Sequence, residues 1–360
     1  MTEDRTSDPR RDLFFIVRAI AFLGLMLFLL WLAGDVLLLL FAGVLVAIFI
    51  DGIANWIRCH TRIGRGASIA IALLGLVLVF GVVGVYSAPD IADQVSQLGQ
   101  ELPRAVDAVR QQLDKHTWTK LILDQLPSAK ELRSPGTGLL RRATGALSST
   151  AIALARMVLI AAIGVFLTIQ PGLYRRGLLR LIPIRKRERA ADVLDAVTNN
   201  LRGWLVGKVL SAIAIGVATW TGLQLLGIPL ALILSVLAGV FSFIPNVGPV
   251  LAVVPAMLLG LLQSPSLALY VFLLYLGIQI VETYLLTPWL AHRTAELPPA
   301  LTLVTQILLG VLFGGMGVIM AAPVTAAGIV LMRMVYVEDV LGDKGAQENL
   351  PPRDRVGSSD

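Results

Sequence analysis

Charge is what this chain has least of. Only 15% of its 360 residues are Asp, Glu, Lys or Arg, 56% are hydrophobic, and the mean hydropathy is +0.78. A water-soluble fold carries roughly 25% charged residues, and the shortage here is gathered into long uncharged runs, which excludes an ordinary soluble domain. Cysteine is nearly absent. Cys59 stands alone, which excludes an intrachain disulfide and leaves the redox compartment unread. No Gly-x-x-x-x-Gly-Lys-Ser/Thr loop occurs, so no ATP engine of that kind is present. His60, His116 and His292 sit at scattered, loop-like positions, so no metal site is expected. No nucleophile–base grouping stands out, and Asp51 at the end of a span reads as a cap or interface residue. An enzyme is not expected, nor any cofactor beyond a coupling proton or sodium ion.

What is present is apolar sequence long enough to need a bilayer. A helix needs about 20 apolar residues to cross ~30 Å of hydrocarbon. Leu13–Ala33 is a first span, with Arg18 near its end, and Gly34-Asp35 reads as a tight turn into Val36–Ile50, running on to about Ile57. Ala67–Pro89 follows with 23 uncharged residues. Residues 90–147 then hold eight Lys/Arg and seven Asp/Glu, a water-facing helical region. Within it Ile91, Val95, Leu98, Leu102, Val106, Val109 and Leu113 form an amphipathic stripe that packs on its own protein or a neighbouring subunit. Pro103 is expected to kink or split that helix.

Residues 148–170 are the next span, carrying Arg156, which reads as reaching back to the surface. Residues 171–202 hold eight Lys/Arg against three Asp/Glu, and Ala190, Val193, Leu194, Val197 and Leu201 suggest a helix lying along the membrane face. Gly203–Leu223 is a further span, with Lys208 near its end expected to snorkel inward. The net charge of +6 would suit nucleic acid, but the cations lie in loops between spans, where they report topology instead. The cation-rich segments 1–12, 51–66 and 171–202 are expected in the cytoplasm, with the tail 336–360, disordered beyond about Gly342. Residues 90–147 are expected outside.

The last third is the most informative. Pro229–Leu262 has 34 uncharged residues, about 51 Å as one helix and too long for a single crossing. Phe243-Ile244-Pro245-Asn246-Val247-Gly248-Pro249 interrupts it, and prolines and glycine so close together cannot continue a helix. A fold-back is expected with this heptapeptide at its tip. Pro299 to about Val335 is also over-long, with Gly314-Gly315-Met316-Gly317 at its centre. The two segments echo one another: Pro229 precedes Gly248 by 19 residues and Pro298 precedes Gly317 by 19, with Pro255 and Pro323 following. One span, Leu267–Thr287, separates them, so the hairpins 229–262 and 299–335 enter from opposite faces, an arrangement typical of inverted-repeat transporters. Irregular backbone at membrane depth survives only in protein or beside a cavity, so the tips are expected to touch a pathway.

Glu282 is the one acid well inside an apolar span, with Gln279 and Thr283 as near neighbours. Such a carboxylate marks an ion or solute path by default. A structural bond to the hairpin backbone or to Arg156 is the other reading.

These residues resemble the autoinducer-2 exporter family. The likeness rests on Leu226-Gly227-Ile228-Pro229 leading to the heptapeptide, on Gln279-x-x-Glu282 with Leu286-x-Pro288, and on Gly310, Phe313-Gly314, Gly317 and Pro323. Phe166-Leu167 with Leu181-Ile182-Pro183 adds to it, and it covers about Met157 to Leu341. The resemblance implies an all-α inner-membrane protein of about eight segments, a homo-oligomer (a pentamer), exporting autoinducer-2 or exchanging sodium for protons. Asn246, where an aromatic is usual, and His292, where glycine is usual, depart from the pattern and bear on the solute. The expected organisation is a tail 1–12, three spans in 13–89, an outer region 90–147, a span 148–170, a basic region 171–202 and a transport core 203–335. Asn246, Gly248, Gln279, Glu282, Gly314 and Gly317 are expected to line the path, shaped by Pro245, Pro249, Pro288 and Pro323. The expected partners are lipid and a small polar solute, with no nucleic acid. An oligomeric scaffold whose outer region binds envelope partners is the alternative outside transport.

Overall fold

A computed structural model of the chain describes residues 9–61, 63–113, 139–286 and 298–343, helical throughout with no strand among them. Helices α1 (Pro9–Thr61) and α2 (Arg65–Leu113) come first. Helix α3 (Leu139–Ile169) bends by 87° into the short α4 (Pro171–Arg180). Then follow α5 (Arg187–Leu225), α6 (Ala231–Phe241), α7 (Val247–Gln263) and α8 (Pro265–Val281). A π-helical turn, Glu282–Leu286, ends α8, and α9 (Pro299–Leu331) runs into a second π-helical stretch, Met332–Glu338. Among the described residues four stretches are long and apolar enough to cross a bilayer: Ala33–Thr61, Ile184–Leu225, Pro265–Leu286 and Pro299–Glu338, the last broken at Gly314. The bent α3–α4 pair makes a fifth. Many large apolar side chains face outward on them, among them Val36, Ile213, Phe272 and Val311, the arrangement of a multi-pass membrane protein.

Several boundaries differ from expectation. Gly34-Asp35 is not a turn, because helix continues through it from residue 9 to residue 61. One glycine in a helix costs only about 1 kcal/mol, and both residues are engaged: Gly34 lies against the ring of Phe313, and Asp35 meets Arg156 at 3.9 Å. With the turn gone, the first two expected spans are one element, and eight separate segments are not distinguished. Pro103 does not split α2. The carbonyl it strands, four residues back at Gly99, is on an exposed stretch where water can satisfy it. The stripe at 190–201 does not lie along a membrane face either. It is part of α5, and its Val193 and Leu201 are buried, Leu201 and Val197 packing with Leu45 and Ile48 of α1 and Ala326 and Ala327 of α9. Pro288, His292, residues 114–138 and the tail beyond 343 lie outside the described residues.

The main core joins α5, α6, α7 and α8 through Leu223, Leu234, Ala238, Ala256, Leu259 and Val271. Entry to α6 is set by a glycine C-cap on α5: Gly227 takes φ +69°, and Ile228 N–H donates to the Leu223 carbonyl at 3.0 Å. The first turn of α6 receives help from α2. Gln94 Oε1 accepts from Ile233 N–H at 3.1 Å, one of the donors a helix start leaves unpaired. Leu98 packs against the same core, so that position of the amphipathic stripe of α2 is covered by this protein's own hairpin, while Val95 is exposed. Ser264 caps α8 by accepting from Leu267 N–H, with Pro265 in the first turn.

Basic segments gather at one end. Arg65 of α2 and Arg202 of α5 both reach Asp51 of α1, Arg175 of α4 reaches Asp195 of α5, and Arg189 of α5 binds Glu338 and Asp339 beyond α9.

Candidate functional site

The first over-long segment does fold back. Helix α6 stops at Phe241, and Ile244 N–H donates to the Phe241 carbonyl at 2.8 Å. Asn246 then takes φ +65° and ψ −43°, while Val247 N–H donates to the Pro245 carbonyl at 2.7 Å. This is a tight γ-turn, and Asn tolerates positive φ better than most side chains. The Asn246 side chain is exposed and makes no cap bond to α7. Two residues on, a Cβ at Gly248 would run into the Phe241 carbonyl, so the returning arm leans backbone on backbone.

The second segment reverses in the same manner. Gly314 takes φ +63° and ψ −147°, and a Cβ at Gly317 would run into the Leu309 carbonyl. A Cβ at Gly310 would lie 2.8 Å from the Val318 side chain. Residues eight apart in an unbroken helix are separated by about 12 Å, too far for a disulfide. Cysteines replacing Gly310 and Val318 in a Cys59→Ser background are therefore expected to cross-link on oxidation. No cross-link would mean that the segment is a rod. The 19-residue echo seen in sequence thus corresponds to two reversals, each with a positive-φ residue followed by a glycine at the closest approach.

The two tips touch. Gln306 of α9, buried, donates through Nε2 to the Pro245 carbonyl at 2.9 Å. Phe243 and Met316, one from each tip, line a cavity of about 290 Å³ together with Pro323, Trp204, Val209 and α1 residues. Among the lining residues none is ionisable. Pro249 sits in the first turn of α7, and Pro323 is fully buried inside α9.

Glu282 lies against α5. It is 8% exposed and opens the π-helical turn, a distortion frequent at functional positions. Its Oε1 accepts from Lys208 Nζ at 3.3 Å and from Ser211 Oγ at 3.0 Å, and Gln279 Nε2 donates to its Oε2 at 3.3 Å. Gln279 also donates to Thr283 Oγ1. Arg156, one structural partner expected for Glu282, lies near Asp35 instead. Nor does Lys208 snorkel; it is 17% exposed and paired. The pair and the first tip share one stretch of α5, since Gly239 of α6 rests on the Ala212 carbonyl, beside Ser211, and Val209 lines the cavity. Glu282 and the first hairpin therefore meet through α5, and Glu282 is not among the residues that line the cavity.

Lys208 and Gln306 were missed by local reading. A signal for Lys208 exists: residues 209–281 carry no charge, so Lys208 and Glu282 are the first ions on either side of that stretch.

Residues 20–336 match the family described as AI-2E family transporter. Among curated relatives, YueF of Bacillus subtilis is 24% identical over 301 residues, 80% of each chain. YhhT of Escherichia coli is 23% identical over 336 residues, 89% of this chain and 91% of that one. Both are named for transport. PerM of Escherichia coli, named as a permease, is 26% identical over 314 residues, 79% and 84% of the two chains.

Proposed function

The chain belongs to the AI-2E family of transporters, and from that premise we propose that it is a secondary transporter exporting a small polar solute resembling autoinducer-2. The observation that carries this reading is the Lys208–Glu282 pair, held inside an apolar bundle beside a hairpin tip. Ions inside a membrane protein are costly and mark transport paths by default. Glu282 takes up the coupling proton or sodium ion. Once neutralised it no longer holds Lys208, and α5 and α8 are free to shift. Because α6 rests on α5 next to Ser211, the shift reaches the tip and opens the passage between Phe243 and Met316. Asn246, the Pro245 carbonyl and Gln306 supply polar groups at the first tip, two to three residues along the chain from Phe243 of the apolar cavity or bonded there. Small-molecule sites commonly combine an apolar lining with a few polar groups. Gly248, Gly314 and Gly317 let the backbones approach, and Gln279 orients the carboxylate.

In this reading the hairpins are re-entrant from opposite faces of a bacterial inner membrane. The basic end of the bundle is cytoplasmic by the positive-inside rule, which puts the C-terminal tail there, and the protein works as a homo-oligomer. Overexpressing cells should accumulate the solute outside, and deletion cells inside, when metabolites are compared. One observation favours a second reading, cation/proton antiport: the tip cavity holds no ionisable group, while the buried ions stand apart from it. Collapse of a pH gradient when sodium is added to proteoliposomes, with no metabolite difference in cells, would replace export by antiport.

A further inference from the structure

We propose that the chain carries a second, separate ligand site: a cationic cavity that takes a phosphate-bearing anion at the basic end of the bundle. The cavity has a volume of about 450 Å³ and lies between α1, α2, α3, α4 and α5. Its charged lining is Arg58, Arg65 and Arg202 against the single carboxylate of Asp51, three cations to one anion, a net +2.

The hydrogen-bond inventory points the same way. Asp51 Oδ2 accepts from Arg202 at 2.6 Å and Oδ1 from Arg65 at 3.3 Å, so both carboxylate oxygens are engaged. Each guanidinium has five donors, and most of them are left over. Arg202 Nε is buried without a partner, and Arg58 makes no ion pair among the described residues. Three of the four lining hydroxyls have their protons engaged within the protein, Tyr174 being the fourth. Ser68, Thr168 and Thr198 each donate to a carbonyl in the turn before them. The cavity therefore offers surplus donors and surplus positive charge, with its one acid already spent. A cation or a sugar hydroxyl would need free acceptors. Several arginine forks converging on one space suit the multiple oxygens of phosphate, and Val44, Ile48 and Leu167 give the remainder of the ligand an apolar wall. An occupant would compete with Asp51 for Arg202, which lies on the same helix as Lys208.

The phosphate can come from a lipid headgroup or from a soluble ester, and the test separates the two. The purified full-length protein is reconstituted in phosphatidylcholine nanodiscs, with or without phosphatidylglycerol, and thermal unfolding is followed. Inorganic phosphate and glycerol phosphate are titrated into the phosphatidylcholine sample. Stabilisation by phosphatidylglycerol alone identifies a headgroup site, and stabilisation by the soluble esters identifies a solute site. In either case Arg58→Gln, which breaks no ion pair, is expected to weaken binding about tenfold, the effect of one charge-assisted contact. Asp51→Asn, which removes the lone anion, should tighten it. The proposal is overturned if no phosphate source stabilises the protein, if sodium chloride at matched ionic strength does so equally, or if Arg58→Gln binds as the parent does.

Discussion

Glu282→Gln is expected to abolish flux and to lower stability, and the double variant Lys208→Gln/Glu282→Gln to regain the stability without the flux. The reasoning starts from burial. Lys208 and Glu282 are 17% and 11% exposed at their side chains and 3.3 Å apart. Removing one partner of such a pair leaves a buried ion uncompensated and costs about 3–5 kcal/mol, whereas replacing both by neutral groups of similar size is often nearly neutral. Thermal unfolding in detergent should therefore show a large drop for either single variant and a recovery for the double. Flux in proteoliposomes is the separate readout. If the pair were only a staple between α5 and α8, flux would return with stability. A double variant that transports like the parent removes Glu282 from ion coupling.

The second large effect lies at the hairpin tips. Gly248→Ala and Gly317→Ala each place a methyl group on a backbone carbonyl, that of Phe241 or of Leu309. A flexible side chain could swing away; backbone at a tight reversal cannot. Overpacking of this kind costs about 3 kcal/mol or more when nothing can yield, so both variants are expected to lose most folded, assembled protein on size-exclusion chromatography. Gly277→Ala is the control. It lies in α8 with nothing within 4 Å of the added carbon, and alanine is the better helix former by up to about 1 kcal/mol, so no loss is expected. Equal behaviour of all three variants would mean that the reversals are looser than the geometry described here.

The tip glycines and Glu282 were legible because they are local anomalies. An acid within apolar sequence, or prolines and glycine inside a segment too long for one crossing, violates a rule that needs no knowledge of the fold. Their partners were not legible. Lys208 looks like any cation near the end of a span, and only the packing of α5 on α8 turns it toward Glu282. Gln306 lies among uncharged residues of α9, and its bond to Pro245 spans 61 positions. Asp51 likewise reads as an end-of-span residue until α2 and α5 bring Arg65 and Arg202 to it.

Sequence alone determined the solvent, the helical class, the breaks in the two over-long segments and the gathering of cations between apolar stretches. Each follows from hydropathy or backbone chemistry within a few tens of residues. Tertiary structure decided where helices continue and which ions pair. Whether Gly34-Asp35 turns or stays helical depends on a margin of about 1 kcal/mol, small enough for contacts from Phe313 and Arg156 to settle. Ion pairing depends on which helix faces meet, and a pattern periodic in one helix carries no record of its neighbour.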